Sequence, residues 1–301
     1  MVDTSDEWIT ERTGIKERRI ADVNESASDL AYEASKEALA TAGLKADDLD
    51  LIIVATMSGD MPFPSTACIL QKILGAHNAV GFDINAACSG FLYGLHVADG
   101  FVKAGLHKRI LLVGTEVLSK FTDWNDRNTC VLFGDGAGAV IIETTEEDKG
   151  IMSTHINSDG TMWELLYIPG GGSRYPTSPE SIQNRLHYIK MKGNEVFKHA
   201  VRTLGELVVK TLEENNLSSS QLSLLIPHQA NTRIIQATAD RIGIPMDKVI
   251  MNLDKVGNTS SASIPIALDE AVKSGKVKDG DIILLEAFGG GFTWASALVK
   301  Y

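Results

Sequence analysis

The chain has 301 residues, 44% hydrophobic and 22% charged, which is the composition of a folded globular protein. A net charge of -11 and a pI near 5.1 disfavour binding to bulk nucleic acid, and no run of about 18 apolar residues suggests a membrane span. The N-terminal MVDTSDEWIT lacks the basic-then-apolar pattern of a signal peptide. Cys68, Cys88 and Cys130 show no CxxC or Cys/His spacing, which argues against a disulfide framework or structural zinc and fits a reducing cytoplasm.

Along the chain, residues 29–56 read as an amphipathic helix, a turn and a buried strand. VGFDINAA then runs into the turn that carries Cys88, and the helical stretch 90–105 and the strand 109–117 follow. GDGAGA at 134–139 lacks the spacing of a dinucleotide fingerprint, and an apolar strand replaces the expected helix, so close packing is its reading. The stretch 143–192, with glycine-rich PGGGSRYPTSP at 169–179, reads as a surface excursion.

Beyond it the order repeats. Residues 199–229 restate 29–56, with Leu44, Leu49, Leu51 and Ile53 matching Leu217, Leu222, Leu224 and Ile226. The helix 260–275 restates 90–105, and the strands 281–289 and 294–299 restate 109–117 and 137–142. Two halves are therefore expected, residues 1–150 and 151–301, each a mixed sheet covered by helices, packed face to face around a shared centre.

Three residues can do chemistry together. Cys88 lies where a strand meets a helix start, where free N–H groups and the helix dipole would lower a thiol pKa. Small neighbours leave room for a substrate, although a lone cysteine is more often a small buried hydrophobe. His228 ends the strand LSLLIP and faces a polar turn; Asn258 precedes a helix, where it could also serve as a cap. Aligning the two helices at an offset of 170 puts Cys88 opposite Asn258, so that the three converge on one pocket. The glycine run in EAFGGGFTWAS, 286–296, can aim N–H groups at a developing oxyanion.

DTSDEWITERTGIKERRI, AACSGF, PHQANTRI, GNTSSASIP and EAFGGGFTW together strongly resemble the β-ketoacyl-acyl-carrier-protein synthase III family, over essentially the whole chain. That resemblance implies an α/β thiolase-like fold and the initiating condensation of fatty-acid synthesis. An acyl-CoA would acylate Cys88, and decarboxylative condensation with malonyl-acyl carrier protein would follow. His228 and Asn258 would stabilise the enolate, and the N–H groups of Cys88 and Gly290 would form the oxyanion hole. Thr4, Trp8, Arg12, Arg127, Asn231 and Arg233 would bind CoA, with Trp8 and Arg127 sandwiching the adenine. Phe63, Phe133, Ile189 and Met191 would shape the acyl pocket, Phe63 from a dimer partner. Lys198, Arg202 and Arg233 would form a basic patch for the carrier protein. The family implies a cytoplasmic homodimer with no cofactor beyond its CoA thioester, and the sequence presents no metal, nicotinamide or flavin motif.

The same residues admit other readings. A thiolase would need a second C-terminal cysteine and an elongating synthase a second histidine. Plant-type polyketide synthases share Cys/His/Asn but are longer, and papain-like proteases have cysteine-flanking signatures absent here. A starter-unit or secondary-metabolite synthase of the same subfamily stays open, as does an inactive truncated paralogue. The family has about two dozen further N-terminal residues, including a strand expected near the centre of the first sheet. Without that strand, poor stability or abnormal dimerisation is expected.

Overall fold

The structure, a computed structural model, describes residues 2–301. In chain order its elements are α1 (Asp6–Thr13), α2 (Ala27–Ala42), β1 (Leu51–Ala55), α3 (Thr66–Leu74), β2 (Val80–Ile84), α4 (Gly90–Lys103), β3 (Arg109–Val117) and β4 (Asp135–Glu143). There follow β5 (Gly150–Ser158), β6 (Leu166–Tyr167), α5 (Pro179–Gln183), β7 (Lys190–Met191), α6 (Gly193–Glu214), β8 (Leu224–Pro227), α7 (Thr232–Ile242), α8 (Leu253–Val256), α9 (Ser263–Lys273), β9 (Ile282–Gly289) and β10 (Thr293–Lys300).

Two four-stranded sheets organise these elements, in the orders β2-β1-β3-β4 and β5-β10-β9-β8. β1 shows why the central runs are continuously apolar. Leu51 and Ile53 face inward with Ile110 and Leu112, while Ile52 and Val54 face outward with Leu111 and Val113, and all are fully buried. The inward residues of both sheets close on α4 and α9, through Phe91, Leu92 and Ile264. α2 and α3 cover the outer face of the first sheet, and α6 and α7 that of the second, where Leu225, Leu284 and Leu298 pack on Val208 and Ile235. Five layers result, helix–sheet–helix–sheet–helix. Truncating a centrally buried residue such as Ile53 to alanine would remove about 2–5 kcal/mol.

The repeat runs at an offset of 173. Leu51 pairs with Ile110 as Leu224 pairs with Ile283, in parallel ladders. α4 and α9 also start 173 residues apart, at Gly90 and Ser263. The offset of 170 read from sequence is therefore corrected. It matched the closing glycines Gly105 and Gly275, but α4 has 14 residues and α9 has 11, so their ends drift by nearly one turn. Cys88 is the counterpart of Ser261, and Asn258 that of Asn85.

Two further expectations change. The span 143–192 is not wholly an excursion, because β5 pairs antiparallel with β10 along its length. Nor does the first sheet have a gap at its centre, since β1 and β3 pair directly over five residues. By the internal repeat, the position that β5 fills beside β10 corresponds to the outer edge of β4. A strand there would add to an edge and would not complete a core. GDGAGA does serve close packing, for a β-carbon on Gly138 would lie 2.8 Å from the Ile266 nitrogen of α9.

Candidate active site

Each reactive side chain is set by a local device. After β2, the Asn85 side-chain oxygen accepts the Ala87 N–H at 3.3 Å, and Ala87 takes a left-handed φ of 46°. A single turn of 3-10 helix, Ala87–Ser89, then delivers Cys88 to the N-terminal end of α4. The Ser89 hydroxyl donates to the Thr293 carbonyl at 3.1 Å and the Thr293 hydroxyl to the Ala86 carbonyl at 2.9 Å, which ties this turn to the second sheet. Gly289 passes so close that a β-carbon on it would lie 2.7 Å from the Cys88 nitrogen. Only glycine fits there.

His228 follows β8, its N–H donating to the Glu286 carbonyl at 2.7 Å. Its Nδ1 is buried without a hydrogen-bond partner. An unsatisfied N–H is the costlier orphan, which favours the tautomer protonated on Nε2. The Asn258 backbone is clamped to the first half: its N–H donates to the Leu132 carbonyl and its carbonyl accepts from Gly134, both at 2.9 Å. Its Oδ1 accepts the Ser260 N–H at 2.9 Å. That bond assigns the amide orientation and leaves Nδ2 free to donate.

Cys88, His228 and Asn258, each no more than 8% exposed, line one cavity of about 720 Å³. Trp8, Arg12, Asn231 and Arg233 line it too, and Arg12 and Arg233 are exposed, so the cavity runs from solvent to the buried trio. α1 is held against α7 by the Asn231 Nδ2–H, which donates to the Arg12 carbonyl at 3.1 Å, and by Arg233, which donates to the Glu11 carbonyl at 3.3 Å. A second cavity, of about 270 Å³, shares Cys88, Phe133 and Leu166 with the first and is otherwise walled by residues such as Met57, Leu118, Ile189 and Gly290. The thiol thus stands between a polar approach and an apolar chamber.

This geometry belongs to a chain with close relatives. Residues 82–160 match the family model described as 3-oxoacyl-[acyl-carrier-protein (ACP)] synthase III, and residues 212–301 match its C-terminal model. The chain is 56% identical over 301 residues to the β-ketoacyl-[acyl-carrier-protein] synthase III of Caldanaerobacter subterraneus subsp. tengcongensis, covering 100% of this chain and 91% of that one. Its identity to the enzyme of the same name from Methylococcus capsulatus is 55% over 300 residues, covering 100% and 92%. The crystal structure of 3-oxoacyl-[acyl-carrier-protein] synthase III from Aquifex aeolicus superposes with a TM-score of 0.93 at 51% identity, covering 100% of this chain and 92% of that one. The chain belongs to the 3-oxoacyl-[acyl-carrier-protein] synthase III family. It has that family's thiolase-like fold and is an acyl-transferring condensing enzyme.

Within this synthase the other residues named from sequence divide. Phe133 and Ile189 wall the smaller cavity, whereas Met191 lines the larger one. Phe63 lines neither and is 83% exposed. Thr4 is not among the lining residues, and its hydroxyl is buried without a partner. Asn231 caps α7, its Oδ1 accepting the Arg233 N–H at 2.8 Å, so its side chain is engaged internally. Lys198 is exposed on α6, and Arg202 borders a separate cavity of about 220 Å³ with Glu206 and Lys210. Lys198 and Arg202, four residues apart on α6, share a helix face, and Arg233 lies on α7. The sandwich expected of Trp8 and Arg127 is closed: the Arg127 guanidinium lies 3.9 Å from the Trp8 ring centroid, with Arg12 4.8 Å from that centroid.

The electrostatics correct one expectation. Burial pushes the Cys88 thiol up to about 12, opposed by the Ser260 hydroxyl and helped by the nearby Glu116 carboxyl. In the resting protein burial is the dominant influence, and the thiol is protonated. Burial alone holds His228 down to about 4, so it is neutral at physiological pH. Glu116 was missed from sequence, although a carboxylate inside the apolar run RILLVGTEV was a signal. It is fully buried and raised by that burial, and it accepts from the Ser58 hydroxyl at 2.5 Å and the Met57 N–H at 3.2 Å.

Proposed function

We propose that the chain carries out the initiating condensation of fatty-acid synthesis, taking an acyl group from acyl-CoA onto Cys88 and condensing it with malonyl-acyl carrier protein. The observation that carries this reading is that the buried side chains of Cys88, His228 and Asn258 line one cavity in a member of the synthase III family.

In the first half-reaction the Cys88 sulfur attacks the thioester carbonyl. A new S–C bond forms, the C–S bond to CoA breaks, and the thiol proton leaves on CoA. The N–H groups of Cys88 and Gly290 receive the transient oxyanion, and each such donor typically contributes about 10²–10³ in rate. The acyl chain occupies the apolar chamber walled by Phe133 and Ile189, with Met191 at the approach. In the second half-reaction the malonyl thioester loses carbon dioxide. His228 Nε2–H and Asn258 Nδ2–H donate to its carbonyl oxygen as enolate charge develops. The carbanion attacks the acyl-cysteine carbonyl, and Cys88 leaves as a thiolate that regains a proton. A neutral imidazole suits this role, because it donates without first having to lose a charge.

CoA lies along Trp8, Arg12 and Arg233, with Thr4, Arg127 and Asn231 supporting that wall. Lys198, Arg202 and Arg233 offer positive charge to an acidic carrier protein. Phe63, bare on one chain, fits a homodimer in which it completes the partner's acyl pocket. No helix among the described residues is long and apolar enough to cross a membrane, in keeping with work in the cytoplasm.

The test is incubation with straight and branched acyl-CoAs followed by peptide mass spectrometry. An acyl adduct on Cys88, absent in Cys88→Ala, is expected. No adduct on any cysteine with any donor would overturn the reading.

A further inference from the structure

Asp123 and Arg185 lie 62 residues apart and form a two-pronged ion pair. Arg185 Nε donates to Asp123 Oδ2 at 2.8 Å, and a second guanidinium nitrogen donates to Oδ1. The carboxylate is 5% exposed, also accepts the Asn125 N–H at 3.0 Å, and has Lys190 Nζ 3.9 Å away. Paired this way with Arg185, its acid is held below the usual carboxylate range. The guanidinium is seated 4.9 Å over the Tyr188 ring, and Arg185 itself holds a left-handed φ of 56°. For an arginine that backbone is unfavourable and persists only where the surroundings enforce it.

What the pair joins gives it meaning. Asp123 starts the loop that also carries Arg127, stacked on Trp8, and Phe133, which borders both cavities. Arg185 ends the excursion after β6 and stands four residues before Ile189, a wall of the chamber beside Cys88. The Ile189 N–H bonds the Phe121 carbonyl at 2.9 Å, so the wall is tied to the segment just before Asp123, beside the ion pair. A bidentate arginine–carboxylate contact fixes orientation as well as distance, which a lysine cannot reproduce.

We infer that the Asp123–Arg185 pair is a specificity-determining latch: it holds Ile189 against the chamber and thereby restricts the chain to short acyl groups. This rests on the condensing-enzyme reading, with the chamber as the acyl site. Both residues are positioning residues, since neither lines the chamber.

The test compares the parent, Arg185→Gln, Arg185→Lys and Ile189→Ala. Each is given two-, four-, six- and eight-carbon acyl-CoAs, with Cys88 acylation rates and melting curves recorded. A methylene in an apolar pocket is worth about 10–200-fold, so Arg185→Gln is expected to raise the ratio of eight-carbon to two-carbon acylation at least about fivefold. Arg185→Lys is expected to fall between it and the parent. Ile189→Ala opens the same wall directly and should shift the ratio the same way with the pair intact. A uniform loss across all chain lengths in Arg185→Gln would mean a merely structural role and overturn the latch. So would a shift in Ile189→Ala with an unchanged ratio in Arg185→Gln. Absence of Cys88 acylation in the parent with every donor would instead overturn the condensing-enzyme reading.

Discussion

Asn85 and Asn258 stand 173 residues apart and make the same turn. Each side-chain oxygen accepts the N–H two residues on, Ala87 at 3.3 Å and Ser260 at 2.9 Å, and both of those residues are left-handed, with φ of 46° and 48°. In the proposed mechanism one copy aims a nucleophile and the other an amide donor. Aspartate keeps the accepting oxygen, and so the turn, but has no Nδ2–H. Asn258→Asp is therefore expected to melt near the parent and still acylate Cys88, while decarboxylating the malonyl thioester about 100-fold more slowly or worse. Asn85→Asp should leave both half-reactions within a few-fold. Separate acylation and decarboxylation assays check this, and an Asn258→Asp enzyme that decarboxylates at the parent's rate would remove the donor role.

The state of the thiol is open to a pH test. Cys88 is pushed up to about 12 and His228 down to about 4, so neither titrates between pH 5 and 8. Below its pKa a thiol gains tenfold in thiolate per pH unit, and the thiolate is the reactive form. Alkylation of Cys88 by iodoacetamide in the free enzyme is expected to be slow at pH 7 and to climb log-linearly to pH 10 with no step near 6.5. An inflection near neutrality would mean that a histidine or the helix dipole governs the resting thiol.

That Cys88, His228 and Asn258 meet in one cavity was legible because each sits where an apolar run breaks into a polar or small-residue turn, and because the flanking motifs are long. What was misread depended on lengths and distances that a linear pattern does not carry. The closing glycines of α4 and α9 invited the wrong offset, since only the folded helices reveal a three-residue difference in length. Strand neighbours are equally hidden, so a strand assigned to the centre of the first sheet proved to have no gap there to fill. Glu116 and Asp123 acquire meaning only from partners far along the chain. Glu116 accepts from the Ser261 N–H at 3.4 Å, 145 residues away, and Asp123 from Arg185. A carboxylate within an apolar run announces burial but not what it binds.

The closed contact between Trp8 and Arg127 bears on how CoA enters. A centroid distance of 3.9 Å is already stacking contact and leaves no space for an adenine between the two. In the proposed sandwich Arg127 has to swing aside, exchanging one stacking partner for another, whereas the Trp8 face serves in both states. Base–aromatic stacking is worth about 1–3 kcal/mol. Trp8→Ala is expected to raise KM for acyl-CoA at least about fivefold with little change in decarboxylation of malonyl-acyl carrier protein. Arg127→Ala, which also vacates the slot, should change KM less. Equal KM values for Trp8→Ala and the parent would place the adenine elsewhere.

Glu286 offers a stability test apart from catalysis. It lies on β9, fully buried, with neither carboxyl oxygen hydrogen-bonded, and burial raises it to about 8. The folded state therefore holds a proton that the unfolded chain releases near the ordinary glutamate value of 4.5. Because the folded pKa is the higher one, the associated stability is fully present below about pH 4.5. It is lost as pH rises toward 8 and falls no further above that. Glutamine has nearly the same shape and cannot ionise, so Glu286→Gln should remove this slope. Between pH 6 and 8.5 the parent is expected to lose several degrees of Tm relative to the variant, since 1 kcal/mol corresponds to about 2–4 °C in domains of 150–250 residues. Parallel Tm curves for the two proteins across that window would show that Glu286 is charged and partnered in the fold, against the geometry described here.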